Sequence, residues 1–310
     1  MLAFLLWPVL LFGCALSGPL LQKPASLDIP SHVQLEQVPF FPQEAYQCGP
    51  ASLAMVLSWA GYQVQPEDLV PMVYLPDRRG SLQTGLIGAS RRFGFLAFPI
   101  RGRDGLLCEL AAGIPVIVLQ NLGLSWVPKW HYAVVIGYDL NEQVVILHTG
   151  LEADRKVPYS TFARTWNRAE DWGLLVLPAG RIPACAEELP YLKAVLGLDR
   201  AGRLAETLTA LRAAVRRWPV SAQVRMALGN ALYADGNLNG SAQAFSQATR
   251  LAPRNGAAFN NLAHVLAELG DLNQAEQAAR KAVALGGPRS DLYRKTLNDI
   301  VARQPRKGGE

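Results

Sequence analysis

Three side chains in this 310-residue chain have types and spacing suited to thiol chemistry. Cys48 stands at the start of an apolar helical pattern, Gln43 lies five residues upstream, and His131 leads into a run typical of a buried strand. A helix N-terminus favours negative charge, and an imidazole that accepts the thiol proton leaves a thiolate–imidazolium pair. We therefore expect Cys48 to be a nucleophile and His131 its general base, which then protonates a leaving amine.

Attack by a thiolate on a carbonyl places negative charge on the oxygen, and pre-placed donors must stabilise it. The backbone N–H of Cys48 can supply one donor, and the side-chain amide of Gln43 is the natural second. Each residue alone has a simpler explanation, because cysteines often serve as small buried hydrophobes and glutamines are common in loops. The combination of all three therefore carries the hypothesis of a thiol hydrolase.

The stretch Gln43-x4-Cys48-Gly49-Pro50, its apolar helix and the later run His131–Asp139 together resemble the bacteriocin-processing, or double-glycine, cysteine peptidases. The resemblance covers roughly residues 36–180. It implies a papain-like α+β fold, a peptide or protein substrate, nucleophile Cys48, base His131 and oxyanion donor Gln43. Members of that family cleave leader peptides after paired glycines, and many are fused to a transporter. This chain carries a helical repeat instead, so the identity of the substrate does not follow.

In that family an Asp on the strand after the histidine strand orients the imidazole. Here the corresponding slot falls on His148 or Thr149, and we predict His148, as a neutral acceptor, to orient His131. Asp139 and Asp154 are other carboxylates that could substitute. The missing Asp motivates an alternative, a catalytically weak peptide-binding or assembly lipoprotein. A third hypothesis keeps the thioacyl enzyme but transfers the acyl group to an amine.

Helical patterns come first in residues 36–183 and strand patterns follow, which is an α+β order. We predict helices over 48–60, 66–73, 81–93 and 104–112, and strands over 95–100, 115–120, 131–138, 143–148 and 173–177.

The composition changes at about residue 186, where alanine and leucine dominate and the sequence repeats itself. Gly202, Gly236 and Gly270 are spaced by 34 residues, and columns of leucine and alanine keep the same interval. A 34-residue period of two helices is the signature of tetratricopeptide (TPR) repeats. We predict an all-α TPR solenoid of about three units over 186–300, which binds a protein partner, and a polar tail over 301–310.

Residues 1–14 are apolar and end in Leu-Phe-Gly-Cys. The run is too short for a comfortable membrane span and fits a signal peptide with a bacterial lipobox, although no basic residue precedes it. We expect Cys14 to be lipidated and the protein to be exported to the periplasm on the outer membrane. A plain signal peptide with an incidental Cys14 is the alternative. Residues 15–35, with three prolines, are predicted to be a tether.

The remaining cysteines, Cys108 and Cys185, could form a disulfide in an exported protein or stay as buried thiols. The chain has no CxxC pair and no zinc-like spacing, so we expect neither a metal nor a cofactor. The net charge is +5, without a long basic run, and we expect no nucleic-acid partner.

Overall fold

The computed structural model describes residues 19–43 and 47–304. The predicted signal peptide and Cys14 lie outside these residues. The first half of the chain is built on an antiparallel sheet with the order β4-β9-β5-β6-β7-β8, and β1 also pairs with β6. A separate two-stranded hairpin, β2-β3, lies beside it. The strands are β1 His32–Gln34, β2 Tyr74–Leu75, β3 Gly80–Ser81, β4 Phe95–Arg101, β5 Val116–Asn121, β6 Trp130–Asp139, β7 Val144–Thr149, β8 Glu152–Pro158 and β9 Trp172–Pro178.

Among the described residues, five α-helices and a short 3-10 helix, Pro76–Arg78, accompany this sheet, and α1 is the most deeply buried of the α-helices. Every residue from Gly49 to Leu57 is buried, because α1 lies between strands β5, β6 and β9 on one side and α2 and α3 on the other. A helix that is apolar all round requires such an enclosed position. The helices are α1 Cys48–Trp59, α2 Pro66–Val73, α3 Gln83–Arg92, α4 Gly102–Ala111 and α5 Tyr159–Asn167.

The segment expected to be a tether is instead packed on the domain from Leu21 onward. Leu21 is buried, and its N–H donates to Gln143 Oε1 at 2.8 Å. Residues 32–34 form β1 against the end of β6, and Leu35 is also buried. Burying these apolar side chains against the sheet is more favourable in free energy than leaving them exposed to water in a linker. The first domain therefore begins well before residue 36.

The second half of the chain consists of three antiparallel helix pairs and a terminal helix, which confirms the predicted solenoid. Gly202, Gly236 and Gly270 all have positive φ, between 72° and 84°, at the turn inside each pair. Gly229 faces the Phe245 ring so closely that a Cβ there would lie 2.6 Å from it. The helices are α6 Glu188–Arg200, α7 Leu204–Arg217, α8 Ala222–Ala234, α9 Leu238–Leu251, α10 Gly256–Glu268, α11 Leu272–Leu285 and α12 Ser290–Arg303.

A disulfide and a buried carboxylate fix the connection between the two halves. Cys108 on α4 is bonded to Cys185, with the Cα atoms 6.3 Å apart, so the alternative of free thiols does not hold. The neighbouring Glu109 is buried and accepts the backbone N–H groups of Ala184 and Cys185 at 2.9 and 3.0 Å. The connection to α6 is therefore held against α4.

The first repeat helix packs directly on the sheet domain. Helix α6 contacts β4 and α3, and the Arg91 guanidinium lies directly against Gly197. The buried apolar core runs without interruption from the sheet through Tyr191 and Leu198 into the first repeats. No helix in residues 19–43 and 47–304 is both long and apolar enough to cross a membrane.

Candidate active site

Cys48 is the first residue of α1, and the helix start is placed against β6 and β3. Backbone groups of Tyr132, Gly49 and Cys48 itself lie near the sulfur and lower the pKa of the thiol. A Cβ on residue 49 would lie 2.4 Å from Ser81 Oγ, so only glycine lets the helix start approach β3 this closely. The sulfur thus lies in a partly buried position at the start of α1.

Burial and these backbone groups act in opposite directions on Cys48. Burial raises the pKa of the Cys48 thiol above its ordinary 9.0, and the backbone groups of Tyr132 and Gly49 only partly offset it. Burial also lowers the pKa of His131 to about 4, and the charge of Lys129 adds to this effect. Both shifts favour a neutral thiol and a neutral imidazole at rest over the thiolate–imidazolium pair expected from the sequence.

Thr149 orients the imidazole. His131 lies near the start of β6, and its Nε2 is 2.8 Å from Thr149 Oγ1 on the adjacent strand β7. In the tautomer that carries its proton on Nε2, the imidazole donates a hydrogen bond to this hydroxyl and Nδ1 is the basic nitrogen. The group bonded to His131 is thus a neutral hydroxyl, at one of the two positions where the sequence led us to expect an orienting residue.

His148, the predicted orienter, has a different place. Its Nε2 is 3.0 Å from the Val38 carbonyl, and its Nδ1 accepts the Asp154 N–H at 3.2 Å, so both nitrogens are occupied. The reason is the strand register. His148 pairs with Val134, three residues beyond His131, and side chains an odd number apart point to opposite faces. His148 is therefore a buried structural residue.

The two alternative carboxylates also lie elsewhere. Asp139 Oδ2 is 3.1 Å from His32 Nδ1 at the far end of β6. Asp154 Oδ1 accepts from Gln34 Nε2 at 3.1 Å. Both contacts lie in the part of the fold where β1 covers the sheet, away from His131.

Gln43 is buried and held by the residue that follows Thr149. Its Oε1 accepts the Gly150 N–H at 3.1 Å, and its own N–H donates to the Gly150 carbonyl at 2.9 Å. The Nε2 donor makes only long contacts, 3.4 Å to the Tyr132 carbonyl and 3.5 Å to Ser52 Oγ. The amide is thus fixed through its oxygen while its nitrogen retains donor capacity.

Cys48, His131 and Gln43 line a single cleft of about 1060 Å³. Trp130 and Tyr132 line it as well, whereas Trp126 is exposed on the hairpin that joins β5 to β6. The backbone contacts of Tyr132 and Gly150 with Gln43 were not predicted, because a backbone contact does not depend on a residue type that a sequence pattern could reveal. Among the residues described, no group of three or more His, Cys, Asp or Glu could hold a metal.

Comparisons with protein families agree with this architecture. Residues 27–173 match the model of the Peptidase C39 like family. Residues 192–253 and 233–290 match tetratricopeptide repeats. The chain thus carries a C39-like domain followed by TPR repeats. No match was found among curated proteins.

The first half and the repeat half of the chain are each similar to different solved structures. A protein described as a C39-like peptidase from Bacillus anthracis is 23% identical, with 47% of this chain and 97% of that chain covered and a TM-score of 0.40. The type III secretion chaperone SycD of Yersinia enterocolitica, in complex with a peptide of the translocator YopD, is 15% identical over 36% of this chain and 91% of its own, with a TM-score of 0.35. The Sgt2 TPR domain of Aspergillus fumigatus is 16% identical over 40% and 88%, with a TM-score of 0.35.

Proposed function

We propose that this protein is a cysteine peptidase that hydrolyses peptide bonds through a thioacyl intermediate on Cys48. The observation that carries the proposal is the convergence of three groups on one cleft: the Cys48 sulfur at a helix start, the Thr149-anchored His131, and the Gln43 amide. These are the nucleophile, base and oxyanion donor that acyl transfer needs.

In the first half of the reaction, Cys48 attacks the substrate carbonyl as Nδ1 of His131 takes the thiol proton. The proton moves together with the attack, because neither group is charged at rest. Thr149 accepts a hydrogen bond from Nε2–H of the imidazolium, and Gln43 Nε2 with the Cys48 N–H faces the oxyanion. The imidazolium then gives its proton to the leaving amine, and the C–N bond breaks.

In the second half, water replaces the amine. Neutral His131 takes a proton from the water as it attacks the thioester carbon. The C–S bond then breaks, and the imidazolium returns the proton to the Cys48 sulfur. The products are a carboxylic acid and the free thiol, so the enzyme is restored.

We further propose that the chain is exported and lipidated at Cys14, and that its repeats bind a protein partner. The disulfide between Cys108 and Cys185 supports export, because such bonds persist in oxidising compartments. The TPR repeats support partner binding, since stacked helix pairs present an extended concave surface. Mass spectrometry of the membrane fraction would test the lipid, and a Cys14→Ala variant that differs from the wild type only by the mass of the substitution itself would contradict it.

Incubation of the purified chain with a peptide pool, some members containing Gly-Gly, tests hydrolysis directly. New termini identified by mass spectrometry should require Cys48, and His131→Ala should lower the rate roughly 10²- to 10⁴-fold. Gln43→Ala should cost up to roughly 10³-fold in kcat. His148→Asn is the control, because it alters a buried histidine that does not line the cleft. A similar loss of rate in this variant would indicate altered folding and not lost chemistry. Cleavage that persists in Cys48→Ala would contradict the proposal.

A peptide-binding assembly protein is the second candidate, and the neutral Thr149 in the orienting position favours it. A hydroxyl stabilises an imidazolium less than a carboxylate does. Binding of peptides by the wild type without any cleavage, even at high enzyme concentration, would select this candidate.

A further inference from the structure

The proposed cleft is strongly cationic. Five positively charged side chains line it against one described carboxylate, that of Glu170. The whole chain has a net charge of only +5, so a large part of its excess positive charge is placed around one site. The five cations are Arg78, Arg79, Arg101, Lys129 and Arg168.

Two of the five have structural partners. Arg101 forms an ion pair with Glu170 at 3.0 Å. Arg168 donates to the Gly123 carbonyl at 2.6 Å, which anchors the hairpin between β5 and β6. These two side chains are explained by the fold.

The other three cations have no such explanation. Arg78, Arg79 and Lys129 are exposed, and none forms an ion pair with a carboxylate among the residues that the structure describes. Arg79 also has a positive φ of 45°, which costs energy for a residue with a side chain. Its N–H is bonded to the Pro76 carbonyl at 3.0 Å, so the turn that presents both arginines is defined.

These cations come from separate parts of the chain. Arg78 and Arg79 lie between β2 and β3, next to Ser81, while Lys129 directly precedes β6 and is two residues from His131. Charges brought together from distant segments repel one another unless a ligand of opposite charge is bound. A substrate carboxylate near Lys129 would also offset the lysine charge that acts on His131.

We infer that the cleft selects peptides with Asp or Glu side chains close to the reacting bond, which are held by Arg78, Arg79 and Lys129. This inference deepens the proposed peptidase function and rests on it. A peptide is favoured over other anions for two reasons. The cations surround a concave cleft that a flat membrane cannot enter, and the group at its base is an acyl-transfer constellation.

A binding experiment tests the inference without requiring turnover. The probes are three fluorescein-labelled pools of peptides of one length, which differ only in carrying Asp/Glu, Asn/Gln or Lys/Arg at the varied positions. Fluorescence anisotropy with the full Cys48→Ala chain should show roughly tenfold tighter binding of the acidic pool than of the Asn/Gln pool at low salt. The preference should shrink at about 1 M salt, where charges are screened beyond about 3 Å.

Charge variants in the same background assign the effect to the cleft. Arg78→Glu combined with Lys129→Glu should remove the preference, and the milder Arg78→Gln with Lys129→Gln should reduce it. Arg254→Glu is the matched control, because this exposed arginine lies between α9 and α10, outside the cleft. Equal binding of the acidic and Asn/Gln pools, or an equal loss in the Arg254 variant, would overturn the inference.

Two further measurements separate the possible failures. Cleavage of all pools at one rate by the wild type would keep the peptidase proposal and remove the acidic preference. Selective binding of acidic peptides without cleavage would keep the preference and remove the peptidase. Stronger binding of a single-stranded oligonucleotide or of phosphatidylglycerol vesicles than of the acidic pool would assign the charge to another anion and overturn the inference.

Discussion

Replacement of Thr149 by Val should slow the chemical step without weakening substrate binding. Valine has nearly the shape of threonine but removes the hydroxyl that lies 2.8 Å from His131 Nε2. A neutral hydrogen bond contributes about 0.5–1.5 kcal/mol net, and one to a charged group about 1.5–3 kcal/mol. The imidazole is charged only during the reaction. The hydroxyl therefore stabilises the transition state more than the resting enzyme, by about 1–2 kcal/mol, and the valine variant loses this amount.

This difference corresponds to a decrease in kcat of roughly 5- to 30-fold. We expect KM to stay nearly constant, because Thr149 does not line the cleft. The assay is steady-state cleavage of a peptide from the pool described above, with kcat and KM determined separately. Thermal unfolding of each variant shows whether the fold is retained.

Two comparisons make this measurement decisive. Thr149→Ser keeps the hydroxyl and should retain most of the activity. Thr149→Asp should raise the pKa of His131 from about 4, so the acidic limb of the pH–rate profile should move to higher pH. An unchanged kcat in Thr149→Val, or a serine variant as slow as the valine variant, would refute the role of this hydroxyl.

Three other outcomes are expected. Iodoacetamide should alkylate Cys48 slowly at pH 7 and faster only in alkaline buffer, because burial raises the pKa of the thiol; fast labelling at pH 6 would contradict the neutral resting state. Reduction of the bond between Cys108 and Cys185 should lower the unfolding free energy by about 2–4 kcal/mol, measured by urea denaturation with and without reductant. Gly49→Ala should lower both Tm and kcat, because the new Cβ would collide with Ser81; a variant equal to the wild type in both would contradict the close approach of α1 to β3.

Much of the fold could be predicted because its signals are local. The apolar helix after Cys48 and the strand after His131 are continuous hydrophobic runs, and the repeats have a fixed interval of 34 residues. Strand β8, Glu152–Pro158, was missed because most of its residues are exposed and polar at the edge of the sheet. Helix α5 was missed although Tyr159, Phe162 and Trp166 follow helical spacing, because the helix has only nine residues and three apolar positions are a short pattern.

The candidate site was predictable in its residue types but not in its details. His148 and Thr149 are adjacent, and the choice between them depends on strand register. That register includes an irregularity between Val135 and Gly137, which no residue pattern indicates. The neutral state of Cys48 likewise depends on burial, which opposes the effect of the helix start.

The direct packing of α6 on the sheet has a consequence for any partner bound by the repeats. Arg91 and Gly197 are in contact, and the apolar core is continuous between the sheet domain and the first repeats. A partner bound to the repeats is therefore held in one orientation relative to the first domain, whereas a flexible linker would allow many orientations. The partner's chain must then reach from the repeats to the cleft. Its effective concentration at the cleft is high when its length matches that distance, and it is close to zero when the chain is shorter. For the proposed peptidase, the length of chain between the docking sequence and the reacting bond would then help to select substrates.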